Sequence, residues 1–262
     1  MEEKIKSEGK CLFCGKTFAK AGINRHLATH LSEKTASGKD GKSFFVKVET
    51  AKNWGTTPYF LSLWIDGEAI VKDLDLFLRD IWLECCGHMS AFIDPKRPRG
   101  GHGMFDMMDA YELLDQGKVA EYEQMAEEIA GHVPMSRKIK DALCKGMILN
   151  YEYDFGSTTA LSITVMDEYQ AAADEEIVLL SRNEPLKIMC SDCGKSSAVE
   201  LCSVCMYEEE AVFCEKCAKK HSKKCEDFAD YAAMPVVNSP RMGVCAYEGG
   251  CIDEERDGVF QQ

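Results

Sequence analysis

The chain switches between two hydrophobic periods, and the switches mark its elements. Phe44, Val46 and Val48 alternate with Phe45, Lys47 and Glu49, and Tyr59, Leu61, Leu63 and Ile65 repeat that two-residue spacing, which predicts two strands. A helix follows: with Asp73 as N-cap, Leu74, Phe77, Leu78, Ile81, Trp82 and Cys85 fall on one stripe at helical spacing. Residues 106–130 carry a second helical pattern with an acidic outer face. Tyr151, Tyr153 and Phe155, then Leu161, Ile163 and Val165, alternate with polar residues on either side of Gly156-Ser157, which predicts a hairpin over 147–166 closed by a two-residue type II′ turn. Residues 177–180 form a further strand. Elements mixed in this order predict an α+β domain, with packed helices on an antiparallel or mixed sheet.

Two stretches lack such a pattern. Residues 32–42 (SEKTASGKDGK) are polar and rich in Gly and Ser, the composition of a linker. Residues 190–262 have little apolar periodicity but hold nine of the fourteen cysteines, so something other than an oily core must hold them together. The expected organisation is a small folded module over 1–31, a linker over 32–42, the α+β domain over 43–189, and a cysteine-rich module with a tail over 190–262.

The chain has 262 residues, 45% of them hydrophobic, which is enough for a real core. A formal net charge of -13 excludes a protein that coats DNA through uniform positive charge. The charge is uneven, because the first 52 residues hold eleven Lys and Arg against six Asp and Glu: a basic head on an acidic body. There is no run of eighteen apolar residues, and MEEKIKSEGK offers no secretory apolar stretch, so the expectation is a cytoplasmic protein with no membrane partner. In a reducing compartment, cysteines two residues apart hold metal rather than disulfides.

The head contains CLFCGKTFAKAGINRHLATHL, in which Cys11, Cys14, His26 and His30 have the spacing C-x2-C-x11-H-x3-H. Tetrahedral zinc takes four N/S donors, and two His four apart on a helix share one face. Phe18, Ile23 and Leu27 would supply a small apolar core. The segment resembles a single two-Cys, two-His zinc finger of ββα form, one residue shorter than the common spacing of twelve. Positions that would face base edges fall near Ala19, Gly22 and Arg25, and of these only Arg25 can make a bidentate base contact. A lone finger buries little surface, which argues against sequence-specific DNA binding by this module alone.

In the tail, Cys190, Cys193, Cys202, Cys205, Cys214, Cys217, His221 and Cys225 give C-x2-C-x8-C-x2-C-x8-C-x2-C-x3-H-x3-C, a treble CxxC zinc module with donors for two ions. If the chain is helical from Cys217, then Cys217 and Cys225 lie roughly 12 Å apart along the axis, too far for one ion. That favours a cross-brace, with Cys190, Cys193, Cys214 and Cys217 on one ion and Cys202, Cys205, His221 and Cys225 on the other. The sequential pairing stays open if the segment is not one continuous helix. Three zinc ions are therefore expected, each enclosed by four protein donors with no open position for a catalytic water.

No catalytic set stands out. Cys85, Cys86 and His88 invite a thiol-imidazole reading, but Cys85 belongs to the apolar stripe and no third group orients the His. Asp154-Phe155-Gly156 lacks the phosphate loop and catalytic segment of kinases and is better explained as a turn. The pairs Glu127-Glu128, Asp174-Glu175-Glu176 and Glu208-Glu209-Glu210 read as solvated surface. Cys144 reads as core. Cys245 and Cys251 could serve an ion only with two further partners.

Several segments, PYFLSLWID, DLDLFLRDIWLECCGHMSAF, SRKIKDALCKGMILNYEYDFGSTTALSITV, RNEPLKIMCSDCGK and PVVNSPRMGVCAYEGG, resemble the Ri-plasmid ORF-three-like family, also known as passenger TnpR proteins of insertion elements. The resemblance spans about residues 43–250 and implies an α+β domain and neighbourhood with mobile DNA. Many members carry an Asp, an aromatic residue and a His after Tyr-Asp-Phe-Gly, where this chain has Ser157, Thr158 and Thr159, so chemistry resting on that pair would be missing here. The functional expectation is a zinc-binding, non-catalytic adaptor that presents surfaces to a protein or nucleic-acid partner, with no small-molecule substrate. The alternative is a nucleic-acid-processing enzyme whose zinc modules dock substrate.

Overall fold

The computed structural model describes residues 7–51, 58–96, 108, 111–113 and 115–257. At its centre is an antiparallel six-stranded sheet: β3 (Ser43–Thr50), β4 (Phe60–Asp66), β5 (Ser90–Ile93), β6 (Ile148–Tyr153), β7 (Thr159–Tyr169) and β8 (Ile177–Arg182), in the order β5-β6-β7-β3-β4-β8. Alternation sorts its side chains. Phe44, Val46, Val48, Leu61, Leu63 and Ile65 enter one large core with Tyr151, Leu161 and Ile163, whereas Phe45, Phe60, Trp64 and Leu180 point to the opposite face. Both faces are covered, which is why FLSLWID is apolar at nearly every position.

Helix α2 (Val71–Leu78), continued by a π-helical turn over Arg79–Leu83, covers the first face with Leu74, Leu78, Ile81 and Trp82. Its N-cap is Ile70 rather than Asp73. Asp73 sits at the third helical position and its carboxylate accepts the Ile70 N–H at 2.8 Å. The helical structure stops at Leu83, so Cys85 leaves the stripe and lies in a loop. Helix α3 (Val119–Ile129) accounts for part of the pattern over 106–130, of which residues 106, 107, 109, 110 and 114 lie outside the described residues, as do 1–6 and 258–262 of the terminal segments. A short helix α4 (Ile139–Ala142) adds Ile139 and Ala142 to the core.

The hairpin connection is longer than the two-residue turn expected, because β6 ends at Tyr153 and β7 starts at Thr159. Asp154 takes a positive φ of 65°, and its Oδ1 accepts the N–H groups of Gly156 and Ser157 at 3.0 and 3.2 Å, an Asx turn.

The other face of the sheet is covered by the head. Strands β1 (Glu8–Lys10) and β2 (Thr17–Ala19) and helix α1 (Lys20–Thr35) form a ββα unit whose buried Ile23, Leu27 and Leu31 pack on Phe45, Phe60, Trp64 and Leu180. The Leu12 N–H reaches the Leu180 carbonyl, the Glu184 N–H reaches the Glu8 carbonyl, and Ser62 donates to Asn24. The segment read as a linker is partly helical, since α1 continues to Thr35, and past it Lys39 and Lys42 offer carbonyls to the N–H groups of Ala172 and Gly67. A Cβ on Gly67 would come within 2.6 Å of the Lys42 carbonyl oxygen, so only glycine lets these strands close.

Beyond the sheet, β9 (Glu200–Cys202), β10 (Val212–Phe213) and β11 (Ala233–Pro235) form a small sheet carrying helix α5 (Glu215–His221). The chain then returns to the body as a strap. Asn238 bonds Asn183, Ser239 donates to the Trp82 carbonyl at 2.7 Å, the Cys251 N–H reaches the Asp80 carbonyl, and the buried Arg182 pairs with Asp257. The tail therefore packs as part of the α+β body. No helix among the described residues is long and apolar enough to cross a membrane.

Candidate metal centres

Four sets of Cys and His side chains converge, each with its donor atoms within 4.8 Å of one another: Cys11, Cys14, His26 and His30; Cys190, Cys193, Cys214 and Cys217; Cys202, Cys205, His221 and Cys225; and Cys85, Cys86, His88 and Cys245. Each set can hold a metal ion. A tetrahedron with bonds of about 2.3 Å to sulfur and about 2.0 Å to nitrogen has edges of about 3.8 Å between sulfurs and about 3.5 Å between sulfur and nitrogen. The distances fit: 3.9 Å for Cys193 to Cys214, 3.8 Å for Cys205 to Cys225, and 3.6 Å for Cys205 Sγ to His221 Nε2. In the head, the Nε2 atoms of His26 and His30 lie 3.2 Å apart, and Cys14 Sγ lies 3.2 Å from His26 Nε2.

Each donor is set by a local element. Cys11 and Cys14 flank the turn between β1 and β2, where the Gly15 N–H returns to the Cys11 carbonyl and Gly15 has a φ of 73°. His26 and His30 lie one turn apart on α1, and Phe18 stacks on His26 at 4.2 Å. Cys217 and His221 lie one turn apart on α5, yet they belong to different sets. One turn of helix thus fastens both, and the arrangement is a cross-brace. Phe213 stacks on His221 at 4.3 Å and fixes its ring plane.

Crowding shifts the thiols. Backbone N–H groups of Lys195 and Ser196 draw the Cys193 thiol down to about 6, while a hydrogen bond to Asp192 and burial push Cys217, of the same set, up. Within one cluster some sulfurs favour the thiolate and others keep a proton, a conflict that a bound cation removes by stabilising every thiolate.

The fourth set joins residues that sequence reasoning kept apart. Cys85 lies in the loop after the π-helical turn, half-buried against the core, and Cys245, which the sequence left without partners, comes from the strap 160 positions later. Cys86 Sγ is 2.9 Å from His88 Nε2 and 3.4 Å from Cys245 Sγ. The doublet Cys85-Cys86 followed by His88, together with a lone Cys245 in need of partners, was the available signal. Cys144 is exposed rather than core, and Cys251 joins no cluster among the described residues.

The loop that carries these donors is pinned from below. The fully buried Asp75 accepts from Lys72, Arg79, Ser90 and Tyr151, and Arg79 in turn donates to Glu84, the His88 carbonyl and Ser90. Burial alone would raise the Asp75 carboxyl, but the hydrogen bonds from Lys72, Ser90 and Tyr151 and the Arg79 charge outweigh it and hold it below the usual range. Arg241, also buried, bonds Asp154 at 2.7 Å and holds that carboxyl down to about 2. Asp154 is therefore an ion-paired turn residue.

The charged surfaces also differ from the sequence picture. Lys34 pairs with Asp174 and Lys42 with Glu168, so the body neutralises two lysines of the first 52 residues, whose Lys20 and Lys47 pair with Glu49 of the same segment. Ala19, at the end of β2, and Gly22 and Arg25 on α1 remain exposed. The carboxylates Glu208, Glu209 and Glu210 are exposed, as are Asp174, Glu175 and Glu176, whereas Glu127 accepts the Met135 N–H.

The structure is similar to the crystal structure of a protein of unknown function from Methanosarcina mazei Go1, with a TM-score of 0.35 and 14% sequence identity over 55% of this chain and 68% of that one. No family model matches the sequence, and no curated protein matches it.

Proposed function

We propose that this protein is a zinc-organised, non-catalytic adaptor of the Ri-plasmid ORF-three-like kind. Its finger and cross-brace each hold their ions in closed shells and present side chains to a macromolecular partner. The observation that carries this reading is that these three sets are complete with four protein donors each, which leaves no coordination position for water or substrate. Three thiolate-rich shells of this composition suit zinc.

A protein partner is favoured over nucleic acid. Four lysines of the first 52 residues are already paired with carboxylates, and the cross-brace exposes Tyr207, at 84%, next to Glu208, Glu209 and Glu210, and Tyr231, at 70%, bonded to Asp227. Exposed aromatics beside acidic side chains suit a basic protein surface rather than a phosphate backbone.

The test is a screen of the full, metal-loaded chain against single- and double-stranded DNA and RNA, for binding across a salt series and for turnover with added divalent ions. The adaptor reading expects no turnover and only weak, salt-sensitive binding. Divalent-dependent cleavage that is lost in Asp154→Asn or His88→Ala would overturn it in favour of a nucleic-acid-processing enzyme.

A further inference from the structure

We propose that Cys85, Cys86, His88 and Cys245 form a fourth site for a zinc-class ion, and that this ion fastens the C-terminal strap to the α+β body. Three thiolates and one imidazole are donors of the soft to borderline kind that select such an ion. The four donor atoms lie within reach of one cation: Cys85 Sγ is 3.6 Å from Cys86 Sγ and Cys245 Sγ is 3.6 Å from His88 Nε2, close to tetrahedral edges, and the two contacts of Cys86 are shorter than such edges. No disulfide joins any of these sulfurs.

The surroundings support a built site. Three thiolates around a divalent ion leave one net negative charge, and the buried Arg241 guanidinium lies 3.4 Å from Cys85 Sγ to offset it. Arg241 is itself fixed by Asp154, the Ser157 carbonyl and Thr159, and its guanidinium stacks on Tyr153 at 4.7 Å. The donor loop is equally constrained: the Gly87 N–H bonds Glu84 at 2.6 Å, Gly87 has a φ of 75°, and Arg79 holds the His88 carbonyl. Hydrogen bonds that fix the backbone and neighbours of the donor side chains in this way orient ligands in protein metal sites.

Two features distinguish the site from the other three. Its donors come from the body and from the strap, with the whole two-ion module between them in sequence, so the ion would close a far longer loop than any of the other three sets. Two of its donors, Cys86 and Cys245, are exposed, against one, Cys14, in the finger and none among the cross-brace cysteines, so a competing ligand approaches it most easily. This ion should leave first, and its departure should loosen the strap while the closed shells stay filled. The inference does not depend on the adaptor reading.

Native mass spectrometry of the reduced full chain should count four ions. Cys86→Ser with Cys245→Ser should retain three, and Cys144→Ser, an exposed thiol outside every cluster, should retain four. In the double variant, amide exchange over residues 238–252 should quicken by about tenfold or more, as expected for a freed local segment. A chelator titration of the unaltered protein avoids dependence on any substitution. There, Cys86 and Cys245 should become open to alkylation with the loss of the first ion, before any cysteine of the cross-brace. A count of three ions with Cys86 and Cys245 alkylated as fast as Cys144, a Cys86–Cys245 disulfide in the mass map, or release of a cross-brace ion first would each overturn the proposal. Unchanged exchange in the strap would overturn its fastening role.

Discussion

The finger at the head and the cross-brace beyond the sheet both gather Cys and His donors, but what surrounds those donors differs. The finger's helix buries Ile23, Leu27 and Leu31 against Phe45, Phe60, Trp64 and Leu180, so it shares a core with the sheet. The cross-brace has a cluster of its own, made of Cys190, Cys202, Cys214 and Cys217 with Ala211, Phe213, Ala218, Phe228 and Ala232. Nearly half of that interior is metal donors. One module can draw on metal and on docking, the other chiefly on any metal its donors hold, although the chemistry written in their sequences is alike.

The largest expected effect tests this contrast directly. Exhaustive chelation of the reduced protein should abolish amide protection over residues 190–232, because a structural zinc site contributes on the order of 10 kcal/mol to folding. Protection on the Ile23 to Leu31 side of α1 should persist in part. Loss of both together, or retention of the cross-brace, would break the comparison. A smaller effect is expected for Asp75→Asn, which leaves Arg79 without its buried partner and should cost about 3–5 kcal/mol at pH 7 in urea unfolding. The sign with pH follows from the lowered carboxyl. Its contribution is present above about pH 4, the unfolded value, and is lost as the pH falls through the lower native value, so the Asn variant should show the flatter acid limb. Leu27→Ala sharpens the contrast at the smallest scale. It should cost about 2–5 kcal/mol through the shared core and reduce protection in α1, while the metal content of the cross-brace stays constant.

What could be read from the sequence follows the distance over which each signal acts. The strands Phe44–Val48 and Tyr59–Ile65 show as local alternation, and each CxxC pair shows as local spacing. The partition of the tail cysteines into two sets rests on a helix running from Cys217 to Cys225; α5 ends at His221, before Cys225, and the donors nevertheless gather as that partition has them. The docking of α1 was hidden because Ile23 and Leu27 are apolar whether they serve a finger or a sheet. Cys85 fits an apolar stripe that the chain leaves two residues earlier, at Leu83. Gly156-Ser157 looks like a two-residue turn, yet Asp154 opens the loop sooner by adopting a positive φ stabilised by its own carboxylate. The fourth cluster needed a partner 159 residues from Cys86, a proximity that no local pattern encodes.

The strap also sets an order of events in biosynthesis. Arg182 finds Asn238 and Asp257, and Asp154 finds Arg241, only after residues 190–235 have left the ribosome. Until then the nascent body holds a guanidinium and a carboxylate without their native counterions, beside a hairpin already able to pair. The six strands themselves all lie before residue 190, so what the late segment completes is the covering and the charge pairing of the sheet rather than its strand order.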